Sequence, residues 1–272
     1  MKYSLFLMFI LLASCGGDSF NKVEVLKGFR ILSVVTSTPE VSPGAVVSLQ
    51  LYVSDTEGAG RSLNGTTISC IDPGISFGAK VNCDHDPLAT PSPFVLNTAS
   101  GDLAANLFTG LAADTVSVTV PATIFLGRSA REQFNGVSYI VIFNFTVDGE
   151  SVSAFKRIVA TNRGTFNSNP SGSSVLLNGL AITSVPNKND KLRVTSSSQE
   201  TFDYVNVDGN TETRTEEFAV AWFVTQGKFD KPKSNVNETV KYLGNTPSAA
   251  SLVVTILRDE RGGVEIIREF FP

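Results

Sequence analysis

Only one imidazole is available to this 272-residue chain, His85, in the stretch NCDHDPLATPSP. A serine nucleophile needs a base to take its proton, and no serine stands in a GxSxG context, so the sequence shows no centre for serine hydrolysis. Asp84, His85 and Asp86 are metal-ligating types. Adjacent residues of an extended segment point in alternating directions, however, and a closed metal site needs further donors. Asp55 with Glu57, and Asp203 with Asp208 and Asn210, offer hard oxygen donors in or near loops, as calcium requires, without the spacing of an EF-hand. Two facing carboxylates would serve glycoside hydrolysis, but nothing singles out a pair among the 26 acidic residues. Walker-type phosphate loops and dinucleotide fingerprints are absent. The residues therefore predict no catalytic centre, no metal ion and no cofactor.

The three cysteines are more informative. Cys15 lies in LLASCGGD, behind a charged head at Lys2 and an apolar stretch from Leu5 to Ala13. A charged head, a short apolar middle and small residues at a cut make an export signal. The stretch is too short for a bilayer core of about 30 Å. Leu12, Ala13, Ser14 and Cys15 resemble the lipobox of bacterial lipoprotein precursors. That resemblance implies recognition of Leu12, Ala13 and Ser14 by lipoprotein signal peptidase, cleavage before Cys15, a diacylglyceryl thioether on the cysteine and usually an N-acyl chain. Two or three acyl chains, each contributing about 0.8 kcal/mol per buried CH₂, hold a protein durably where one does not. The expected address is the bacterial cell envelope. Gly16 after the cysteine implies the outer membrane, by the sorting pattern of enterobacterial lipoproteins, at its periplasmic face or at the cell surface.

With Cys15 set aside as the lipid attachment site, Cys70 and Cys83 form an even pair in an oxidising compartment. A disulfide between them closes a loop worth about 3 kcal/mol in the chain-entropy model. Two free buried thiols are the alternative. The formal net charge is −4, and one unit more negative once Lys2 leaves with the signal segment. No basic run or nucleic-acid motif is present, so nucleic acid is not an expected partner.

The elements that position these residues read as strands. FRILSVV is followed by the turn-rich TSTPEVSPG and then by AVVSLQLYVSD, in which Val47, Leu49 and Leu51 alternate with Ser48, Gln50 and Tyr52. Alternation at period two marks an antiparallel sheet with one face inward. GVSYIVIFNFTV and SVSAFKRIVAT flank Asp148 and Gly149, a tight-hairpin signal. SAREQFNG predicts one or two helical turns, and no longer helix is expected. NRGTFNSNPSGSS, from Asn162 to Ser174, is the best boundary candidate. Beyond it the strand pattern resumes, and Trp222, midway along EFAVAWFVTQG, is the kind of residue that fills a sandwich centre. In LVVTILRDERGGVEII a charged turn, Arg258 to Arg261, joins two strands, and a solvated turn with internal ion pairs is expected there.

The organisation expected is a signal peptide over residues 1–14, a flexible tether over 15–28, a first β-sandwich over 29–163, a linker over 164–174 and a second β-sandwich over 175–272. The lipobox, FRILSVVTSTPEVSPGAVVSLQLYVSD, AWFVTQGKF and LVVTILRDERGGVEI together resemble bacterial envelope lipoproteins with tandem immunoglobulin-like or PKD-like β-sandwich domains. The resemblance implies an all-β fold of two tandem immunoglobulin-like antiparallel sandwiches and no shared catalytic site. The function expected is a lipid-anchored, non-catalytic structural or binding module of the envelope, with the membrane and an envelope protein or glycan as partners. The alternatives are an extracytoplasmic hydrolase, or an accessory subunit of one, acting on carbohydrate or peptidoglycan, and a surface adhesin.

Overall fold

The computed structural model describes residues 25–26, 28–55, 62–74, 81–97, 115–196, 199–247 and 251–271. The signal segment, the lipobox residues Leu12, Ala13, Ser14 and Cys15, and most of the expected tether lie outside the described residues. The protein is all-β, as expected. Its first half carries β1 (Phe29–Thr36), β2 (Glu40–Val41), β3 (Val46–Asp55), β4 (Ser62–Ile71), β5 (Ser92–Asn97), β6 (Val116–Thr119), a short helix α1 (Ala130–Asn135), β7 (Val137–Val147) and β8 (Glu150–Ala160). The second half carries β9 (Ser174–Leu177), β10 (Leu180–Ala181), β11 (Lys191–Thr195), β12 (Thr201–Val205), β13 (Thr211–Thr215), β14 (Phe218–Val224), β15 (Lys233–Asn235), β16 (Val240–Lys241), β17 (Ser251–Asp259) and β18 (Val264–Phe271).

In the first half, a sheet ordered β1-β3-β6 faces one ordered β2-β8-β7-β4-β5. In the second half, β10-β9-β11-β16 faces β15-β14-β17-β18. Leaving aside the two-residue strands β2 and β10 at the sheet ends, and the separate hairpin β12-β13, both halves have one plan. The first, second and fifth strands make one sheet, and the fourth, third, sixth and seventh make the other. Among the described strands the pairing is antiparallel except for β2, which runs parallel to β8, and the isolated bridge from Val25 to Val224 is also parallel.

Each sandwich closes on its own apolar core. Val47, Leu49, Leu51 and Val53 of β3 meet Val141, Phe143 and Phe145 of β7 in the first, and Trp222 packs with Phe229, Tyr242 and Val253 in the second. The Trp222 indole N–H is satisfied inside the core by the Ser234 hydroxyl at 2.9 Å. Asp148 and Gly149 adopt positive φ angles of 53° and 84°, and Val147 pairs with Glu150 across them. This is the tight β7-β8 hairpin the dipeptide signals. The helix α1 starts with a reciprocal capping box between Ser129 and Glu132.

Two strands carry apolar residues on both faces, and both are covered on two sides. In β7, Ile140 and Ile142 face away from the core and are buried against Cys70 and Cys83. In β17, Val253 and Leu257 enter the second core. Leu252, Val254 and Ile256 point the other way, into a third apolar cluster with Phe223 and Val264 of the second half and Leu26 and Leu32 from the N-terminal side. The two sandwiches are thus packed against each other. Burial on both faces removes the need for period-two alternation.

Candidate functional site

The sequence-flagged residues near Cys83 fall in one loop. Cys70, near the end of β4, and Cys83 form a disulfide with a Cα–Cα distance of 5.7 Å. The bridge pins the loop over the outer face of β7. His85 Nε2 lies 3.0 Å from the Ile71 carbonyl, which makes Nε2 the protonated, donating nitrogen. Asp86 accepts from the Leu88 amide at 3.0 Å. Asp72 accepts from Arg157 Nε at 2.6 Å and from the Gly74 amide at 2.9 Å. These side chains organise a turn. Between this loop and residues 121–128 lies an open groove of about 670 Å³, lined by His85, Leu88, Arg128, Ser69 and Tyr139, the last two joined through their hydroxyls at 2.7 Å.

The calcium candidates do not converge either. Asp203 accepts from the Thr213 hydroxyl at 2.8 Å, while Asp208 and Asn210 donate backbone N–H groups to Asn206 Oδ1, each at 3.0 Å. Asn206 therefore builds the turn between β12 and β13. Asp55 is buried at the end of β3, and Glu57 lies outside the described residues. Among the described residues, no three His, Cys, Asp or Glu side chains are grouped to hold a metal ion.

The densest chemistry lies where the sandwiches meet, in residues the sequence presents as a solvated turn and a polar linker. In the β17-β18 turn Glu260 is exposed, but Asp259 and Arg261 are buried, Arg261 being only 8% exposed. Its guanidinium donates to both oxygens of Glu40 on β2, from Nε at 3.2 Å and from Nη2 at 2.6 Å. Nη1 donates to Glu216 at 3.2 Å and stands 3.7 Å from Glu200. Arg163, beyond β8, also donates to Glu40, at 3.2 Å. Glu40 is 1% exposed and receives the Asn167 amide as well, at 2.9 Å. Asn167, in the segment expected as linker, is buried and donates its side-chain amide to Asp259 at 3.0 Å. Asp259 in turn fixes the turn by accepting from the Arg261 and Gly263 amides at 2.9 and 2.7 Å.

The hairpin β12-β13 closes over this cluster. The Phe202 ring lies 4.7 Å from the Arg261 guanidinium carbon and 5.7 Å from that of Arg163, which is cation–π range. Asn135, at the end of α1, receives the Val205 N–H at 2.8 Å and donates to the Val205 carbonyl at 2.7 Å. A hairpin belonging to the second half is thereby stitched to the first.

Electrostatics follow from burial. Glu216 is raised to about 7, first because it is buried and then because Asp259 stands near it. Lys156 of β8, bonded to the Gly262 carbonyl at 2.5 Å, is lowered to about 8 by burial, against the pull of Asp259. Burial also lowers Arg163, opposed by Glu40. For Arg261 burial works downward, yet the hydrogen bond and charge of Glu40, with the charges of Glu216 and Glu200, outweigh it and raise the group.

Fold and site together define a double β-sandwich protein joined through a buried ionic seam. No protein-family model matches the chain, and no curated protein matches it by sequence. Solved structures with some likeness include a red sea bream transglutaminase, at 8% identity and TM-score 0.30, over 90% of this chain and 31% of that one. A Salmonella alpha-2-macroglobulin mutant aligns at 10% identity and TM-score 0.28, over 89% of this chain and 16% of the other. Spo0M, a sporulation control protein from Bacillus subtilis, aligns at 8% identity and TM-score 0.26, over 90% of each chain. The chain spans less than a third of the transglutaminase and about a sixth of the macroglobulin. Likeness at this level says nothing about activity.

Proposed function

We propose that this protein is a lipid-anchored, non-catalytic module of the bacterial cell envelope that presents its binding surfaces on a rigid body of two immunoglobulin-like sandwiches. The observation that carries the reading is the seam. Glu40, Arg261, Glu216 and Arg163 are buried together from both halves, a costly arrangement that fixes one relative geometry when fully hydrogen-bonded. Rigid geometry suits a presenting or spacing role. The shared strand order supports the immunoglobulin-like reading, as does Trp222 on the third main strand of the second sandwich, where immunoglobulin domains carry their core tryptophan. Asp72 and Asp86, the carboxylates lining the groove, are both engaged in local structure, which favours binding over hydrolysis there.

The anchor rests on Leu12, Ala13, Ser14 and Cys15. Cys15→Ala is expected to accumulate uncleaved precursor and to abolish labelling by a palmitate analogue, whereas inhibition of lipoprotein signal peptidase is expected to accumulate an uncleaved precursor that still takes the label. A mature-sized, membrane-bound and unlabelled protein would overturn the anchor. Protease treatment of intact cells separates a surface-exposed copy, as an adhesin requires, from a periplasm-facing one.

A further inference from the structure

We propose that the cleft where β8 meets the β17-β18 end is a binding site for a phosphate monoester, with Lys156 and Arg258 as the two cations that hold its phosphate. The site is separate from the groove beside His85, and the inference does not depend on the lipid anchor.

The cleft, of about 580 Å³, is lined by residues of β1, β7 and β8 of the first sandwich and by the β17-β18 end of the second. Its two cations come one from each half. Lys156 belongs to β8 and is 8% exposed, and Arg258 continues along β17 the row Leu252, Val254 and Ile256 that faces the first sandwich. Among the described residues each makes one hydrogen bond, Lys156 to the Gly262 carbonyl and Arg258, at 3.3 Å, to the Leu32 carbonyl. Leu32 is the extra residue of a bulge, where the register of β1 against β3 shifts between Ile31 and Ser33. An ammonium carries three donors and a guanidinium five, so most of the donors of this pair are left for a ligand.

The carboxylates nearby are committed elsewhere. Asp72 is taken by Arg157, and Glu40 and Glu216 are taken by Arg261. Asp259, which also lines the cleft, accepts from Asn167 and from the Arg261 and Gly263 amides, and Glu260 is exposed. Neither Lys156 nor Arg258 forms an ion pair among the described residues. Burial lowers both; Lys156 falls to about 8, with Asp259 opposing the fall and Arg258 adding to it. Two repelling cations held out of water are costly until an anion joins them. A phosphate dianion meets both charges at once, one oxygen edge on the fork of Arg258 and another oxygen on the ammonium of Lys156. Ser33 and Ser138 add hydroxyls to the lining. The cleft has the size of a small-molecule site and exceeds what phosphate alone requires. Leu32, Val264 and the Phe155 ring, which is 44% exposed, give it apolar walls for the organic part of an ester. A soluble phosphate ester and the head group of a phosphatidic acid share this chemistry.

Calorimetric titration of the folded full-length protein at neutral pH and constant ionic strength tests the site, with glycerol 3-phosphate and with a short-chain phosphatidic acid kept below its micelle concentration. Lys156→Gln and Arg258→Gln are each expected to weaken binding about tenfold or more, while Lys191→Gln, on exposed β11 surface, leaves it unchanged. Binding of glycerol 3-phosphate at least as tight as that of the phosphatidic acid supports a soluble ester as the ligand, and tighter binding of the phosphatidic acid supports a lipid head group. Failure of both to bind, or binding that both cleft variants retain, overturns the proposal. If those variants do not fold, backbone amide shifts of the native protein decide. Shifts that either compound induces around residues 31–34, 155–159 and 258–264 support the site, and shifts confined elsewhere overturn it.

Discussion

At the residue scale, the side chains most able to do chemistry are spent on architecture. His85, Asp86 and Asp72 hold a loop that the Cys70–Cys83 bridge ties over Ile140 and Ile142. Replacing both cysteines with serine is expected to lower stability by about 3 kcal/mol, by releasing the loop in the unfolded chain. Denaturant unfolding of the oxidised, reduced and doubly substituted forms checks it: the last two should agree and fall below the first. The cysteine pairing was legible because reading Cys15 as part of a lipobox sets it aside and leaves an even pair. The roles of Glu40, Arg163 and Arg261 were not, because nothing in an isolated charged residue says whether a second sandwich will cover it. Reading Arg258 to Arg261 as a solvated turn rested on local composition; Glu260 is exposed, but Asp259 and Arg261 are covered by residues far away in sequence, Glu40 and Asn167 among them.

At the scale of elements, strands were legible wherever one face stayed wet. The alternation in β3 shows as buried Val47, Leu49 and Leu51 set between more exposed neighbours, and it ends at Val53, Ser54 and Asp55, which are all buried. The β7-β8 hairpin was announced by Asp148 and Gly149 and the helical turn by its cap, since each is local chemistry. Pairing between distant strands is non-local, so neither the common strand plan of the two halves nor the docking of β12-β13 could be read from periodicity. The β17-β18 turn shows how closely the elements are fitted. A Cβ on Gly263 would strike the Asp259 carboxylate and come within 2.9 Å of Ser168 O and Pro170 Cδ. Gly263→Ala is therefore expected to cost about 1–3 kcal/mol through overpacking. Thermal unfolding should register that loss, whereas Gly149→Ala, where a Cβ meets nothing, shows only the strain of a positive φ. Equal losses at both positions would remove the steric argument.

At the scale of the whole molecule, the sandwiches behave as one body because β17 serves two interiors. Leu252, Val254 and Ile256 belong to the seam, and exposing them would uncover a continuous apolar strip. A single cooperative unfolding transition is expected for the intact protein, with calorimetric and van't Hoff enthalpies in agreement. Residues 175–272 made alone are expected to be poorly soluble or less stable than within the whole. A soluble fragment unfolding at the parent's temperature would show instead that the seam contributes little. Composition marked the polar stretch near residue 164 as a place where the chain passes between cores. It could not show that Asn167 inside that stretch is part of the seam.

One further consequence comes from Leu26. It is buried in the seam, its amide donates to the Val224 carbonyl of β14 at 3.0 Å, and Val25 bridges to Val224 in parallel. Ahead of β1, the chain thus touches the second sandwich before it builds the first. Under the proposed anchor, only the residues between Cys15 and Val25 separate the lipid from this seam, a leash of at most about 35 Å fully stretched. A pull on the body against its lipid would load the waist first, through Leu26 and its backbone bond to Val224. The body would hang from its middle, with both sandwiches free to face outward.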